Sequence, residues 1–255
     1  QTLKNRHYQI YGPAEGEQAC GDIGPGRMLE PEILLRLSAD MFESGALAGK
    51  HCVITGGPTR EALDPVRFIS NHSSGKMAYA LAAEAAAAGA RVTLISGPVN
   101  LPTPDRVTRV DVISARDMLK ATMDNMDSAD VFIGVAAVAD YRPESEQQQK
   151  IKKSDQEMTL ALVKNPDIIS EVAALENRPL VVGFAAETND IVENGRGKLE
   201  KKKLDLLFAN NATETFNSDS ISVTAISTDG DTELPTANKN VVAREMLQLI
   251  SERLK

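Results

Sequence analysis

The sequence predicts an α/β protein framed by a parallel sheet, and three observations carry that prediction. From Lys50 onward, short β-branched runs alternate with helical patterns, the rhythm of parallel strands joined by crossover helices. Later, Asp229-Gly230 separates two further strand-like runs, a turn signal for an antiparallel hairpin. The 255 residues lie at the upper edge of what one hydrophobic core organises, so either one large domain or one domain plus an appendage is expected.

Strands are predicted at 51–55, 91–96, 131–138, 180–185 and 204–209, with helices at 76–88, 115–127, 166–175 and 191–203 between them. A hairpin at 220–227 and after Asp231, then an amphipathic helix at 241–254, close the chain. The architecture expected is therefore a Rossmann-like, three-layer parallel sheet with a C-terminal antiparallel hairpin extension. Residues 1–48 stand apart: Gly12-Pro13, Gly21, Gly24-Pro25-Gly26 and Pro31 punctuate them so densely that no strand or helix is expected before Glu30. A helix at 31–44 follows, with Pro31 at its first position and Ile33, Leu34, Leu37 and Met41 on one face. The domains expected are thus 1–48, an irregular lead-in, and 49–255.

Composition narrows the function. With 42% apolar and 25% charged residues, the chain has globular rather than disordered or collagen-like make-up. Its 28 basic and 36 acidic residues give a net charge of −8, so no broad attraction for nucleic acid or anionic lipid is expected. Cys20 and Cys52 occupy unlike contexts, a Gly-rich turn and a strand, which suits a reducing cytoplasm better than a disulfide framework. Residues 1–8 are polar and no run approaches the roughly 20 apolar residues of a membrane helix, so neither export signal nor anchor is expected. A start at Gln1 rather than Met points to a piece of a longer protein.

The first strand breaks into Gly56-Gly57-Pro58-Thr59-Arg60-Glu61, and open α/β sheets bind ligands just beyond the carboxyl ends of their strands. A charge-bearing excursion then runs from Gly56 to Gly75 and carries Arg67, Asn71, His72, Ser73 and Ser74 into the start of a helix. Helix-start N–H groups can cradle a phosphate, and one of the two serines is expected to cap the helix. The segment is not a Walker A loop, because Ser70 replaces the first glycine and Met77 follows Lys76. Nor does Gly56-Gly57-Pro58 have dinucleotide-fingerprint spacing.

The third strand leads through the small residues Gly134, Val135, Ala136 and Ala137 to Asp140, a possible metal or ribose contact. Lys150-Ile151-Lys152-Lys153 follows, three ammoniums in four residues. Alone such a run is a solvated face; after a candidate site it also reads as phosphate neutralisation. Lys164-Asn165-Pro166-Asp167 opens another helix with Pro166 at its expected first position. Phe184 ends a strand as either a core ring or a base-stacking one. Lys198 and Lys202 share a helix face, close enough to hold one polyphosphate.

Taken together, Gly57-Pro58-Thr59-Arg60-Glu61, Asp64-Pro65-Val66-Arg67, Asn71 to Met77, Ala136 to Tyr141, Lys150 to Lys153 and Gly183 to Thr188 resemble the phosphopantothenoylcysteine synthetase family over about residues 50 to 255. Residues Ala19 to Met28 resemble the end of the flavin-dependent phosphopantothenoylcysteine decarboxylase, the other half of a bacterial bifunctional protein. Ala78 departs from the family pattern, which has Gly after Lys-Met; its methyl group is expected to tighten the first helical turn.

The resemblance implies ligation of 4′-phosphopantothenate to cysteine in two steps, in which CTP activates the carboxylate as an acyl cytidylate and the cysteine amine displaces CMP. It implies nucleotide contacts at Gly134, Val135, Ala136, Asp140, Lys150, Pro166, Asp167, Ile168, Ile169, Phe184, Lys198 and Lys202, with Mg²⁺ near Asp140. Arg67 and Asn71 fall to the acyl intermediate, with Ser73, Ser74 and Ala137 beside them on the substrate, and Asn71, Lys150 and Arg67 carry catalysis. Cys20 belongs to the decarboxylase half-reaction, whose FMN body is absent here. A cytoplasmic homodimer, or a larger assembly formed through the decarboxylase half, completes what the resemblance implies. Two other classes stay open on the residues alone. A nicotinamide-dependent oxidoreductase is opposed by the fingerprint mismatch, and a non-catalytic nucleotide-binding scaffold by the presence of both Lys150 and Asn71.

Overall fold

The computed structural model describes residues 3, 10–17, 21–40, 45–152, 158–187, 190–211 and 220–254. Contacts divide the chain into Gln1–Ser44 and Gly45–Lys255. The smaller unit holds β1 (Ala14–Glu17), β2 (Ile23–Arg27) and α1 (Pro31–Asp40). The hairpin corrects the expectation of an irregular lead-in. β1 and β2 pair antiparallel with a bulge between Ala14 and Glu15, and a two-stranded ribbon consists of edges, where Pro25 can sit without breaking a ladder. The predicted end of α1, at 41–44, lies outside the described residues, as does Cys20.

In the larger unit the elements run β3 (His51–Gly56), β4 (Arg60–Ala62), β5 (Phe68–Ser70), α2 (Lys76–Ala87), β6 (Arg91–Ser96), β7 (Val107–Asp111), α3 (Ala115–Met123) and β8 (Val131–Gly134). They continue with β9 (Tyr141–Pro143), β10 (Leu162–Lys164), α4 (Ile168–Ala173), β11 (Leu180–Glu187), α5 (Ile191–Lys202), β12 (Leu206–Asn211), β13 (Ser220–Ser227), β14 (Gly230–Asn238) and α6 (Lys239–Glu252). Eight strands form one sheet in the order β14-β13-β12-β11-β8-β3-β6-β7. The pairs from β12 to β7 are parallel; β13 and β14 add antiparallel at one edge. The expected class is therefore the observed one.

Helices cover both faces. Leu81 and Ala85 of α2 join Val242, Met246 and Ile250 of α6 in one buried cluster, while Met118 of α3, Val172 of α4 and Leu199 of α5 join Phe132 and Val181 in the other. Cys52 belongs to the first cluster; burial pushes its thiol up to about 12, which leaves it inert. Chain order reverses between β3 and β8: the chain steps outward through β6 and β7, then returns and steps the other way through β8, β11 and β12. Such a switch point opens a crevice at the carboxyl edge.

Several boundaries differ from expectation. The parallel strand β7 carries Thr108, Arg109 and Asp111 in five residues and sits at the sheet edge; with one flank in solvent it lacks the apolar run that marks a central strand. β8 stops at Gly134 rather than Val138, because Ala137 leaves the ladder to bridge Pro58 and donates its N–H to Gly57 O at 2.9 Å. α3 ends at Met123, followed by a 3₁₀ turn at Met126–Ser128. Pro166 is not the first residue of α4. Asp167 is its N-cap and accepts from Ser170 N, the role a short polar side chain fills better than proline. The predicted serine cap of α2 is also absent. The N-cap is Gly75, at φ 75° with no side-chain cap, and Ser73 Oγ accepts the Gly75 N–H instead. A positive φ is open to Gly at little cost.

Candidate functional site

Register places Thr55 of β3 beside Gly134 of β8, and Gly134 beside Gly183 of β11. This row spans the switch point and lines a cavity of about 720 Å³. The two glycines matter for shape: a Cβ on Gly134 would meet Ile169 Cδ1 at 3.1 Å, and one on Gly183 would meet Leu207 and Leu204 at 2.7 and 2.8 Å. Their absence lets Ile169 of α4 lie close to the strands.

Lys164, Lys198, Lys201 and Lys202 line the cavity against two carboxylates, Asp140 and Asp167. A local excess of cations in a chain of net charge −8 favours an anionic ligand. The lysines are held in place. Lys202 Nζ lies 2.8 Å from Asp167 Oδ2, and Lys198 Nζ lies 2.5 Å from Glu187 Oε1. Partial burial pushes the Asp167 carboxyl up, but the Lys202 ammonium and bonds from Ser170 outweigh it and hold the group below its usual range. Asn165 fixes the wall, donating through Nδ2 to Ala139 O at 2.8 Å and through its N–H to Asp140 O at 2.8 Å. Arg142 donates to Asn165 Oδ1 at 3.2 Å and also to Lys164 O.

Of the residues assigned by resemblance to the nucleotide, Gly134, Ala136, Asp140, Pro166, Asp167, Ile168, Ile169, Phe184, Lys198 and Lys202 line this cavity, as does Ala137. Phe184 also packs against the core cluster. Val135 is not in the lining and packs into the core on the α2 and α6 side. Lys150 is exposed and lies outside the lining, and so do Arg67, Asn71, Ser73 and Ser74. Lys153 and Thr188 fall outside the described residues. Lys201 lines the cavity although sequence reasoning did not single it out; Thr55 lines it too, at the strand end where the glycine break marks a site.

The excursion carrying Arg67 and Asn71 is bound to the cavity wall. β4 and β5 pair antiparallel, with the Arg60 guanidinium 4.6 Å over the Phe68 ring. Thr59 Oγ1 accepts from Ala139 N at 3.0 Å, and Asn71 Nδ2 donates to Ala137 O and Val138 O at 3.1 Å each. Arg67 does not reach the cavity lining. Its Nε and Nη2 donate to Asp64 Oδ2 at 3.0 and 2.5 Å, and Nη2 also donates to Ile151 O at 2.8 Å. Asp64, whose side chain is fully buried, further accepts from Val66 N, Arg67 N and Ile151 N at 2.8, 2.9 and 3.0 Å. Burial pushes its carboxyl up, but the Ile151 N–H, the Arg67 guanidinium and the Val66 and Arg67 N–H groups outweigh that and hold it well below the usual carboxylate range.

Among the described residues no three His, Cys, Asp or Glu side chains converge as a metal cluster. Asp140 and Asp167, the two carboxylates lining the cavity, suit a Mg²⁺ ion carried mainly by phosphate oxygens and water. No helix among the described residues is long and apolar enough to cross a membrane.

Fold and site together define an open, doubly wound α/β domain with a cationic cleft at its switch point. The chain belongs to the family of the DNA/pantothenate metabolism flavoprotein C-terminal domain, whose model matches residues 47–254, in agreement with the resemblance read from its motifs. It is 54% identical over 255 residues to the coenzyme A biosynthesis bifunctional protein CoaBC of Vibrio vulnificus and 49% identical over 261 residues to that of Escherichia coli. These matches cover 98% and 99% of the chain, which spans 64% of the length of each relative. A crystal structure of the C-terminal domain of a CoaBC protein superposes with a TM-score of 0.72 at 42% identity, covering 82% of this chain and 98% of that one.

Proposed function

We propose that this chain joins 4′-phosphopantothenate to L-cysteine at the expense of CTP. The observation that carries the reading is the lysine-lined cavity at the β3/β8 switch point in a domain of this family; the naming of its relatives for coenzyme A biosynthesis supports it. In the first step a phosphopantothenate carboxylate oxygen attacks the α-phosphorus of CTP and pyrophosphate leaves. In the second, the cysteine amine attacks the acyl carbon, loses a proton, and CMP leaves.

The first step brings an anion against an anion, so it needs cations and N–H donors more than a base. Lys198, Lys201 and Lys202 supply charge inside the cavity, and Lys150 adds charge from the stretch that follows β9. Mg²⁺ bound to the triphosphate would neutralise developing charge on the leaving oxygens, with Asp140 and Asp167 as its protein donors. Glu187 and Asp167 keep Lys198 and Lys202 oriented and must yield them to phosphate. The second step builds an oxyanion, which a neutral amide such as Asn71 can serve without repelling the incoming carboxylate. The reading includes a cytoplasmic homodimer, for which exposed Val66, Phe68, Tyr141 and Leu162 offer apolar surface.

Mixing the chain with 4′-phosphopantothenate, Mg²⁺ and each nucleoside triphosphate in turn tests the reading. Pyrophosphate release with CTP, abolished by chelation, is expected. Lys150→Gln should suppress release while leaving thermal stability unchanged, since an exposed ammonium supports little packing. Silence with every triphosphate overturns the proposal, and normal release by the variant returns Lys150 to the solvated surface.

A further inference from the structure

We infer that the Thr55 hydroxyl is a binding group for the nucleotide, an O–H set in the floor of the cavity to hold one oxygen atom of the ligand. This rests on the functional reading above and adds to it a contact that the resemblance does not assign.

The floor is one row of residues across the sheet. Register sets Ile95, Thr55, Gly134, Gly183 and Leu207 side by side on β6, β3, β8, β11 and β12. Side chains alternate along a strand, and Val53, Phe132 and Val181 belong to the buried cluster under α3, α4 and α5, as do Ile95 and Leu207. Thr55, Gly134 and Gly183 each follow one of those three residues by two places, so the whole row lies on that face. Its two ends are aliphatic and its middle is glycine. The Thr55 hydroxyl is therefore the one polar side-chain group in the row, and Thr55, Gly134, Gly183 and Leu207 all line the cavity.

A place between buried aliphatic neighbours suits Val as well as Thr in shape, and Thr55 is 3% exposed. A buried hydroxyl needs a hydrogen-bond partner. The other buried hydroxyls show how the chain meets that need. Thr59 Oγ1 accepts from Ala139 N, Thr93 Oγ1 meets His51 Nε2, Ser96 Oγ meets the Tyr79 hydroxyl, and Ser227 and Ser251 donate to Gly230 O and Gln248 O. Among the described residues, the buried threonine and serine hydroxyls without such a bond are those of Thr122 and Thr55. The two differ in access: Thr122 Oγ1 is shut away in α3, whereas Thr55 opens on the cavity. Its partner comes from the contents of the cavity, where a ligand held by the lysines of α5 brings oxygen atoms to accept the bond. A nucleotide offers such oxygens on its sugar and on its phosphate chain.

Two variants of the 255-residue chain test the contact. Thr55→Val keeps the β-branched shape and removes the O–H; Thr55→Ser keeps the O–H. Calorimetry should show CTP binding about tenfold weaker to Thr55→Val, the worth of one hydrogen bond, with Thr55→Ser retaining most of the affinity. The KM for CTP should rise in Thr55→Val by a similar factor. Its urea midpoint should not fall, because no hydrogen bond within the protein is lost. Cytidine and inorganic tripolyphosphate locate the accepting oxygen: a loss of affinity confined to cytidine places it on the nucleoside, and one confined to tripolyphosphate places it on the phosphate chain. CTP binding to Thr55→Val equal to wild type overturns the contact and leaves the functional reading standing. Equal losses in Thr55→Val and Thr55→Ser overturn it as well, since shape rather than the hydroxyl would then be what binding requires. A wild-type chain that binds no nucleoside triphosphate overturns the functional reading, and the contact with it.

Discussion

Asn71 is a structural side chain to which the proposed reading adds a role in chemistry. Its Nδ2 donates to Ala137 O and Val138 O at 3.1 Å each, so both amide hydrogens are committed to two carbonyls of the segment that lines the cavity. An oxyanion would take the place of one carbonyl as acceptor. Asn71→Asp removes the donor and sets a carboxylate against two carbonyl oxygens. The acyl cytidylate should still form while its transfer to cysteine slows by roughly 10²-fold, the cost of losing one oxyanion donor. Mass spectrometry of quenched reactions would find the intermediate accumulating; equal slowing of both half-reactions would make Asn71 a wall residue only. The identity of Asn71 was legible in its motif. Its two acceptors were not, because they belong to a segment 66 and 67 residues away.

At the scale of elements, the seat of α2 on β3 depends on very small side chains. Ala78 is 1% exposed, and a Cβ built on Gly56 would stand 2.4 Å from its Cβ. The Ala78 methyl group is accommodated because β3 ends in glycine. Gly56→Ala should cost about 1–3 kcal/mol by overpacking. Ala78→Gly in the same chain should recover most of this, since Leu94 Cδ1 at 3.6 Å and Ala78 Cα at 3.9 Å are the other near atoms, less about 0.5–1 kcal/mol for glycine within a helix. Urea unfolding of the two single variants and the double variant checks this; additive losses would mean that the two positions do not touch. Elsewhere, elements with strong periodicity or a clear turn signal were legible while β7, β1 and β2 were not. β7 is polar and half in solvent, β1 and β2 lie in a Gly- and Pro-rich stretch, and neither offers the apolar period that marks a central strand.

Across the whole molecule, a buried polar cluster sits at the amino ends of the strands whose carboxyl ends line the cavity. His51 is 3% exposed; its Nδ1 meets Ser128 O and Oγ at 3.0 and 3.1 Å, and Nε2 meets Thr93 Oγ1 at 2.9 Å. Burial lowers its pKa from 6.5, the Ser128 carbonyl raises it, Arg91 lowers it and Asp130 raises it, with a net decrease. A depressed pKa means that the native state binds fewer protons than the unfolded chain. The associated stability is fully present above about pH 6.5 and is lost as pH falls toward the native value. Urea midpoints should therefore hold steady from pH 8 to about 7 and decline below about 6.5, and NMR titration of the imidazole should place its midpoint below 6.5. A midpoint at or above that value would sink the idea. The depressed carboxylates Asp117 and Asp130 act in the same direction but only in stronger acid, as pH falls through and below the ordinary aspartate range near 3.8.

The sequence by itself determined the class of the fold, the order of its principal strands and helices, the antiparallel ending and the family, since each is written in local periods and short motifs. A β-branched run or a Gly-Pro break acts over two to four residues, and adjacent residues report it. Tertiary structure alone decided the contacts through which the site residues meet. Thr55, Gly134 and Gly183 meet through strand register across the switch point. Lys198 and Lys202 meet their carboxylates through the packing of α5 and α4 against β11. Arg67 is directed to the Ile151 carbonyl by a buried aspartate whose bond to the Ile151 N–H spans 87 residues of chain. No local pattern encodes such pairings; they arise because burying both faces of the sheet leaves one register for each strand, and that register brings distant loops to a common edge.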